Sequence, residues 1–189
     1  MRRLIIKYIG LVFMDLFVLL SNYLLVAWVL SLFTRARPDM DEYGKQWGGW
    51  YGTWDNPPQG DLRWIREGWF PGELVGWKGY LNRVGWLFRN PGYGFQRWAG
   101  VKYHERMETT WRGNDAISDK ESIPGSYFAT ASYPTGKLVA FEYYLVKPWG
   151  FGKCVRIRVG WKIMTDKFER YGFATFVDTV NPLKSYGDK

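Results

Sequence analysis

Cysteine and histidine are almost missing from this chain of 189 residues, which contains one of each, Cys154 and His104. A single cysteine excludes an intrachain disulfide and a zinc site built from several cysteines, and a single histidine excludes sites that need two. The sequence has neither a GxSxG nucleophile elbow nor a GxxxxGK[ST] phosphate loop, so no motif indicates a serine hydrolase or a P-loop protein. We therefore expect a protein that is not an enzyme and that carries no cofactor and no metal.

Aromatic side chains are abundant instead, because Phe, Trp and Tyr make up 20% of the chain and 12 residues are Trp. This composition excludes a disordered chain, since disordered chains lack large apolar groups to bury. The net charge is +8. Half of the excess lies in residues 1–37 and half in residues 111–189, whereas residues 38–110 are neutral. No segment concentrates positive charge as nucleic-acid-binding proteins do, so no nucleic acid is expected as a partner.

A long apolar segment near the amino terminus is the strongest signal in the sequence. Residues 16–34 are 19 residues without a charge, which as a helix reach roughly 29 Å, close to the thickness of a bilayer's hydrocarbon layer. A cleaved signal peptide normally has a shorter apolar stretch and a small-residue cleavage site, and a buried core helix is the other alternative. We predict an uncleaved single-pass membrane anchor over residues 1–37, with the lipid bilayer as its partner.

Two polar residues interrupt the apolar segment. Asp15 and Asn22 are seven positions apart, so they lie on one face of a helix. Exposed to lipid they would be costly, which predicts that they meet a partner or lie near an interface. Self-association of the chain through this face is one hypothesis.

The basic residues around the segment give a small orientation signal. Lys and Arg count in the positive-inside rule, whereas acids carry little weight. Arg2, Arg3, Lys7 and the terminal amine precede the segment, and the basic residues that follow it are diluted by acids. We expect the amino terminus in the cytoplasm and the following domain outside.

Residues 38–189 are expected to form one small Trp-rich α+β domain. Its first part, residues 38–110, is loop-rich and contains one helix from Glu73 to about Asn90. The helix has an apolar stripe at intervals of three and four residues, which consists of Leu74, Trp77, Leu81, Val84 and Phe88. Its second part, residues 111–189, is expected to form an antiparallel sheet of about four strands, with residues 112–126 as a surface loop. The predicted strands cover residues 127–132, 137–146, 154–164 and 173–180.

The third predicted strand alternates between apolar and basic residues, with Trp161 expected on its buried face. Arg156, Arg158 and Lys162 lie on the other face, and Tyr144 is expected nearby. This row suggests binding to an anionic surface such as phospholipid headgroups. The alternative is a solvated sheet face, because salt keeps isolated basic rows weak.

A loop of oxygen-bearing side chains suggests a cation site. Asp55, Asn56 and Asp61 lie in a segment with glycine, and carboxylate and amide oxygens are ligands of hard cations. The EF-hand spacing fails, because Pro57 stands where a third-position ligand belongs. The alternative is an Asx turn, in which these side chains accept hydrogen bonds from backbone amides and bind no cation.

The histidine offers the best candidate set for an enzyme. His104 and Glu108 have the i,i+4 spacing of a helix, and Glu105 lies between them. The second histidine of a zinc-protease helix is missing. A surface histidine explains the pattern without catalysis.

Residues 54–95 contain an ordered series of motifs that resembles a family of uncharacterised proteins encoded by tailed bacteriophages. The amino-terminal apolar segment and the β-rich end are similar in layout. The resemblance implies a phage origin and brings no assigned activity. The matching motifs are the loop with Asp55, Asn56, Gly60 and Asp61, then Trp69-Phe70-Pro71-Gly72, the helix with Tyr80, Asn82, Arg83 and Trp86, Arg89-Asn90-Pro91, and Tyr93-Gly94-Phe95.

These features together predict a phage-encoded accessory protein that is anchored in the host's inner membrane and acts by binding. Modification of the envelope, exclusion of a second phage and support of lysis all fit, with phage or host envelope proteins as further partners. The alternative is a structural or ejected component of the virion. The third alternative is an enzyme that uses His104, Glu105 and Glu108.

Overall fold

The structure, a computed structural model, describes residues 1–33, 49–51, 76–164, 168 and 172–187. The chain forms two compact units, one made of Met1–Val12 with Ala99–Lys189 and the other of Phe13–Trp98. The first turns of the amino-terminal helix thus group with the sheet.

The fold is α+β, as the sequence predicts. All strand pairs are antiparallel; β2, β3, β4, β5 and β7 form a five-stranded sheet in that order, and β1 pairs with β6. The described strands are thus more than the four expected. In chain order the elements are α1 (Arg2–Ser21), a π-helical turn (Asn22–Val26), α2 (Ala27–Phe33), α3 (Gly76–Arg89), α4 (Tyr93–Trp98), β1 (Val101–Lys102), β2 (Glu108–Gly113), β3 (Gly125–Ser132), β4 (Leu138–Gly150), β5 (Lys153–Trp161), β6 (Phe173–Ala174) and β7 (Phe176–Ser185).

Strand β2 is an element that the sequence did not indicate. It is at the edge of the sheet, paired on one side with β3. Five of its six residues are exposed. A strand without a buried face shows no alternation of apolar and polar residues, so the pattern that predicts strands is missing.

The amino-terminal helix, which comprises α1, the π turn and α2, keeps its buried residues on one face. Leu11, Asp15 and Asn22 are buried at helical spacing, and the next buried residue, Ala27, comes five positions after Asn22. The Ala27 amide donates to the Asn22 carbonyl, which is the i→i+5 bond of a π-helix. Because a π turn inserts one residue, Ala27 and Ser31 remain on the same face as Asn22.

Helix α3 ends at Arg89, where the sequence predicts an end, and Val84 of the predicted stripe is buried, but the buried side of the helix is shifted from the one expected. Trp77, predicted on the buried stripe, is 68% exposed. The small residues Gly79 and Gly85 lie on the buried side, where they leave room for a neighbouring helix. The buried residues of α3 are Gly79, Asn82, Arg83, Val84, Gly85 and Leu87.

Helices α2 and α3 pack against each other around Ala27, Val84 and Leu87, which form an apolar cluster. The Arg83 guanidinium donates to the Ser31 carbonyl through Nη2 at 3.1 Å and Nε at 3.3 Å. A charged side chain can be buried here because a backbone acceptor on the neighbouring helix compensates its lost hydration.

Tyr8 of α1 packs against one end of the five-stranded sheet. Its ring lies 5.2 Å from that of Phe141, 5.9 Å from that of Trp161 and 5.3 Å from that of Phe176, measured between centroids. Its hydroxyl donates to the Val177 carbonyl at 3.3 Å. The first turns of α1 therefore share an aromatic core with β4, β5 and β7.

The two faces of β5 are buried differently from the prediction. Trp161 is fully buried, as expected, but the other apolar residues on its face of β5 are only half-buried. The opposite face, which carries Arg156 and Arg158, contains the fully buried Glu142 of β4. The loop between β2 and β3 contributes Asp119 to this second face.

Candidate functional site

The face of the amino-terminal helix opposite its buried stripe is apolar and exposed. Residues Arg2–Leu32 form a helix that is long and apolar enough to cross a membrane. Phe17 is 68% exposed and Leu24 is 79% exposed. Monomeric soluble proteins rarely expose a contiguous apolar surface of this kind. We call this surface the apolar helix face; its members are Ile5, Ile6, Ile9, Phe13, Met14, Leu16, Phe17, Leu20, Tyr23, Leu24, Leu25, Trp28, Val29 and Leu32.

Asp15 and Asn22 lie on the buried side of the same helix. Both side chains are fully buried within one chain. Asn22 Nδ2 donates to the Leu87 carbonyl of α3 at 3.0 Å. Asp15 faces Gly92, where an added Cβ would come within 3.3 Å of its Oδ1. The polar face thus meets the chain's own backbone, and self-association through it stays a prediction.

Glu142 is the centre of a buried polar network on the sheet. Its Oε1 accepts hydrogen bonds from the Tyr127 hydroxyl at 2.9 Å and from Arg158 Nε at 2.7 Å. Arg158 Nη2 completes the ion pair at 2.6 Å. The amide of Met164 donates to Oε2 at 2.9 Å. These four donors compensate the burial of a carboxylate that has no contact with solvent.

Asp119 is the second carboxylate of the network. The Tyr144 hydroxyl donates to its Oδ1 at 2.8 Å, and Arg156 Nη1 and Lys184 Nζ each lie 3.5 Å from Oδ2. Burial alone would raise the pKa of Asp119, but the Tyr144 hydrogen bond and the two cations together lower this pKa below its ordinary value. Asp119 is therefore ionised at neutral pH.

The tyrosines and Arg158 respond to the same carboxylates. Burial, the hydrogen bond to Asp119 and its negative charge raise the pKa of Tyr144 to about 12. Burial and the charge of Glu142 also raise the pKa of Tyr127. Arg158 is stacked 4.9 Å from the centre of the Tyr144 ring, and although burial acts to lower its pKa, Glu142 raises it. Asp119 and Arg158 are thus held in their ionised states by their neighbours.

The structure brings together three of the four residues predicted to bind an anionic surface. Arg156, Arg158 and Tyr144 lie side by side on one sheet face, but both guanidiniums are paired with carboxylates. Lys162 follows β5, and its amide donates to the Thr175 carbonyl at 2.9 Å. The partners Glu142 and Asp119 were missed, because no local sequence pattern connects them to β5. Binding of an anionic surface by this row stays a prediction.

His104, Glu105 and Glu108 do not lie on a helix. His104 and Glu105 precede β2, which begins at Glu108, and all three side chains are exposed. His104 Nδ1 accepts a hydrogen bond from the Arg106 amide at 3.3 Å, and its ring lies 6.4 Å from that of Tyr133. The i,i+4 spacing of His104 and Glu108 therefore does not place the two side chains on one helix face, because the chain is not helical at these residues.

The predicted cation loop, with Asp55, Asn56 and Asp61, lies outside the described residues. Within the described part of the chain, no three His, Cys, Asp or Glu side chains cluster closely enough to hold a metal ion. The lone Cys154 is buried in β5, and burial raises the pKa of its thiol.

A cleft lined by four cationic side chains lies within the unit formed by Met1–Val12 and Ala99–Lys189. Its volume is about 440 Å³. Arg3 and Lys7 come from α1, Lys102 from β1, and Lys137 from the position before β4. We call it the basic cleft; its remaining lining residues are Leu4, Gly100, Val101, Tyr133, Leu138 and Val139.

The basic cleft concentrates positive charge without an acidic lining residue. Among the residues that the structure describes, no carboxylate forms an ion pair with any of its four cations. The Lys7 ammonium also lies 5.5 Å from the centre of the Trp161 ring, a cation–π contact that helps to fix α1 on the sheet. The sequence did not indicate this cleft, because its cations are up to 134 positions apart, from Arg3 to Lys137.

No curated protein and no solved structure matches the chain. A family model described as a family of unknown function, DUF7338, matches residues 1–188. The match includes the amino-terminal helix as well as the sheet. The chain belongs to the DUF7338 family.

Proposed function

We propose that the protein is a phage-encoded accessory protein that is anchored in the host's inner membrane and acts there by binding rather than by catalysis. The observation that supports this most directly is the apolar helix face. One side of the amino-terminal helix is buried by polar and apolar contacts within the chain. The other side of the helix exposes large apolar side chains. Lipid is the solvent in which such a face is stable.

The contacts of Tyr8 support a specific sidedness. If the amino terminus were cytoplasmic and the sheet outside, residues 1–12 would have to leave the aromatic core that they share with Phe141, Trp161 and Phe176. We therefore propose that the amino terminus and the sheet lie on the same, cytoplasmic side. This placement differs from the single crossing expected from the sequence.

The charged side chains of the sheet pair with one another, and this supports binding rather than catalysis as the mode of action. Glu142 and Asp119 are held by hydrogen bonds and ion pairs within the sheet unit, which suits a rigid scaffold. The end of β4 and the turn that follows it expose Trp149 and Phe151, and such exposed aromatics are suited to a partner among phage or host envelope proteins. Envelope modification, exclusion of a second phage and lysis support are the roles proposed for this interaction.

Membrane fractionation of the full chain in a bacterial host tests the anchor. Phe17→Arg with Leu24→Arg places two charges on the apolar helix face. We expect this double variant to move from the carbonate-resistant membrane pellet to the supernatant, because charged side chains on this face oppose its burial in lipid. Trp111→Arg with Val180→Arg is the matched control, since both residues are exposed on the sheet; this variant should stay in the pellet.

Two results would overturn the proposal. One is a wild-type protein that remains in the high-speed supernatant without detergent. The other is its recovery as an abundant component of purified phage particles, which would favour the virion alternative.

A further inference from the structure

We propose that the basic cleft binds the phosphate group of an anionic phospholipid. This inference rests on the proposed membrane location and names the lipid class that the protein would recognise there. The cleft is not among the residues that the sequence indicated for anion binding, and the sheet row that was indicated has its guanidiniums paired internally.

Charge is the first argument. Arg3, Lys7, Lys102 and Lys137 line one cleft without an acidic neighbour in its lining. Four like charges that line one cleft repel one another, and an anion that enters relieves this repulsion. The planar fork of a guanidinium is not required at each position, because ammonium groups bind phosphate oxygens as point charges.

The shape of the lining is the second argument. Leu4 and Val101 are buried in the lining of the cleft, and Leu138 and Val139 add apolar surface. Tyr133 contributes a ring and a hydroxyl. A cationic lining with apolar walls matches an amphiphile, which has a charged head and an apolar body, better than it matches a free inorganic ion.

The position of the cations on α1 is the third argument. Arg3 and Lys7 share their helical turns with Ile5, Ile6 and Ile9, which are exposed members of the apolar helix face. Basic residues placed beside an apolar membrane-contacting surface lie at the depth of the lipid phosphates. The cationic end of α1 is therefore suited to the depth at which lipid phosphates lie.

Native mass spectrometry of the full-length protein in dodecyl maltoside tests this assignment. The probes are dioctanoyl phosphatidylglycerol, dioctanoyl phosphatidylcholine and inorganic phosphate. The test variant is Lys102→Gln with Lys137→Gln, which leaves the amino-terminal helix unchanged. The matched control is Lys120→Gln with Lys147→Gln, which removes the same charge from two exposed lysines outside the cleft.

The wild-type protein should bind phosphatidylglycerol at least about tenfold more tightly than phosphatidylcholine. The test variant should raise the dissociation constant for phosphatidylglycerol by about tenfold or more, since it removes two of the cations that would attract the anionic lipid. The control variant should bind as the wild type does. An unchanged melting temperature of both variants shows that the loss is local.

Three results would overturn the assignment. They are an equal loss in the control variant, equal affinity for the two lipids, and competition by inorganic phosphate at the affinity of the lipid, which would make free phosphate the ligand. Fractionation of the wild type separates this proposal from the previous one. A protein found in the supernatant that still prefers phosphatidylglycerol in detergent would remove the membrane location and leave the cleft assignment standing.

Discussion

Glu142 shows why a charged residue can occupy the centre of this sheet. Its carboxylate is fully buried, yet it accepts hydrogen bonds from Tyr127, Arg158 and the amide of Met164. Its burial is tolerated because each oxygen has a donor. Arg158, which is only partly buried, in turn contacts the carboxylate and the Tyr144 ring.

Removing the charge of Glu142 should therefore destabilise the protein strongly. We expect Glu142→Gln to lower the free energy of unfolding by about 3 kcal/mol, because it removes the counter-charge of the partly buried Arg158 guanidinium and weakens a fully buried hydrogen-bond network. Denaturant unfolding in detergent, followed by the near-ultraviolet circular dichroism of the aromatic residues, measures this change. Glu105→Gln, at an exposed position, should change it by less than about 0.5 kcal/mol; an equal effect of the two variants would refute the role given to the pair.

The raised pKa of Tyr144 predicts how the stability of the protein depends on pH in the alkaline range. Its pKa is raised to about 12 in the folded protein, against roughly 10 in an unfolded chain. The folded state therefore holds the phenol proton more tightly, so this contribution to stability is complete below about pH 10 and is lost as the pH rises toward about 12.

Replacing Tyr144 by Phe should make the alkaline decline in stability shallower. The difference in unfolding free energy between wild type and Tyr144→Phe should be constant below about pH 9 and should shrink between about pH 10 and about pH 12. Denaturant unfolding of both proteins across this range provides the comparison. A difference that stays constant across the whole range would mean that burial and the Asp119 hydrogen bond do not raise the pKa of Tyr144 in the folded protein.

The amino-terminal helix illustrates, at the scale of an element, how a polar residue can be placed in an apolar segment. Asn22 begins the π-helical turn and donates to the Leu87 carbonyl of α3. The turn keeps Ala27 and Ser31 on the buried side, where Arg83 reaches the Ser31 carbonyl. The Asn22 side chain and the Ser31 carbonyl thus hold the amino-terminal helix and α3 together.

Asn22→Leu should weaken this packing without affecting the apolar helix face. We expect a loss of about 1–3 kcal/mol in unfolding free energy, since the Leu87 carbonyl would lose a buried donor. Leu24→Ala on the exposed face is the control and should change stability in detergent by less than about 1 kcal/mol. Thermal unfolding in detergent measures both, and a neutral Asn22→Leu would show that the hydrogen bond contributes nothing to stability.

The same elements show what could be predicted from the sequence and what could not. The end of α3 and strands β3, β4 and β5 were predictable, because turn residues and alternation are local signals. The buried face of α3 was not, because Arg83 is compensated by Ser31, which lies 52 positions away. The residues of the basic cleft were also missed, since only the packing of α1 on the sheet and the placement of β1 bring Lys7 near Lys102.

At the scale of the whole molecule, the arrangement of the chain constrains its relation to a membrane. The unit that contains the sheet also contains Met1–Val12, and Tyr8 and Lys7 fix these residues to Trp161. A helix that is attached in this way cannot deliver its amino terminus to one side of a bilayer and the sheet to the other. We therefore expect the apolar helix face to enter lipid while both chain ends stay on one side.

Protease protection of the full chain, with one epitope tag at each terminus, tests this account most directly. In intact spheroplasts both tags should survive external protease, and in inverted inner-membrane vesicles both should be digested. Digestion of the carboxy-terminal tag in spheroplasts while the amino-terminal tag survives would contradict the account, because the sheet would then lie across the membrane from the helix end that packs against it.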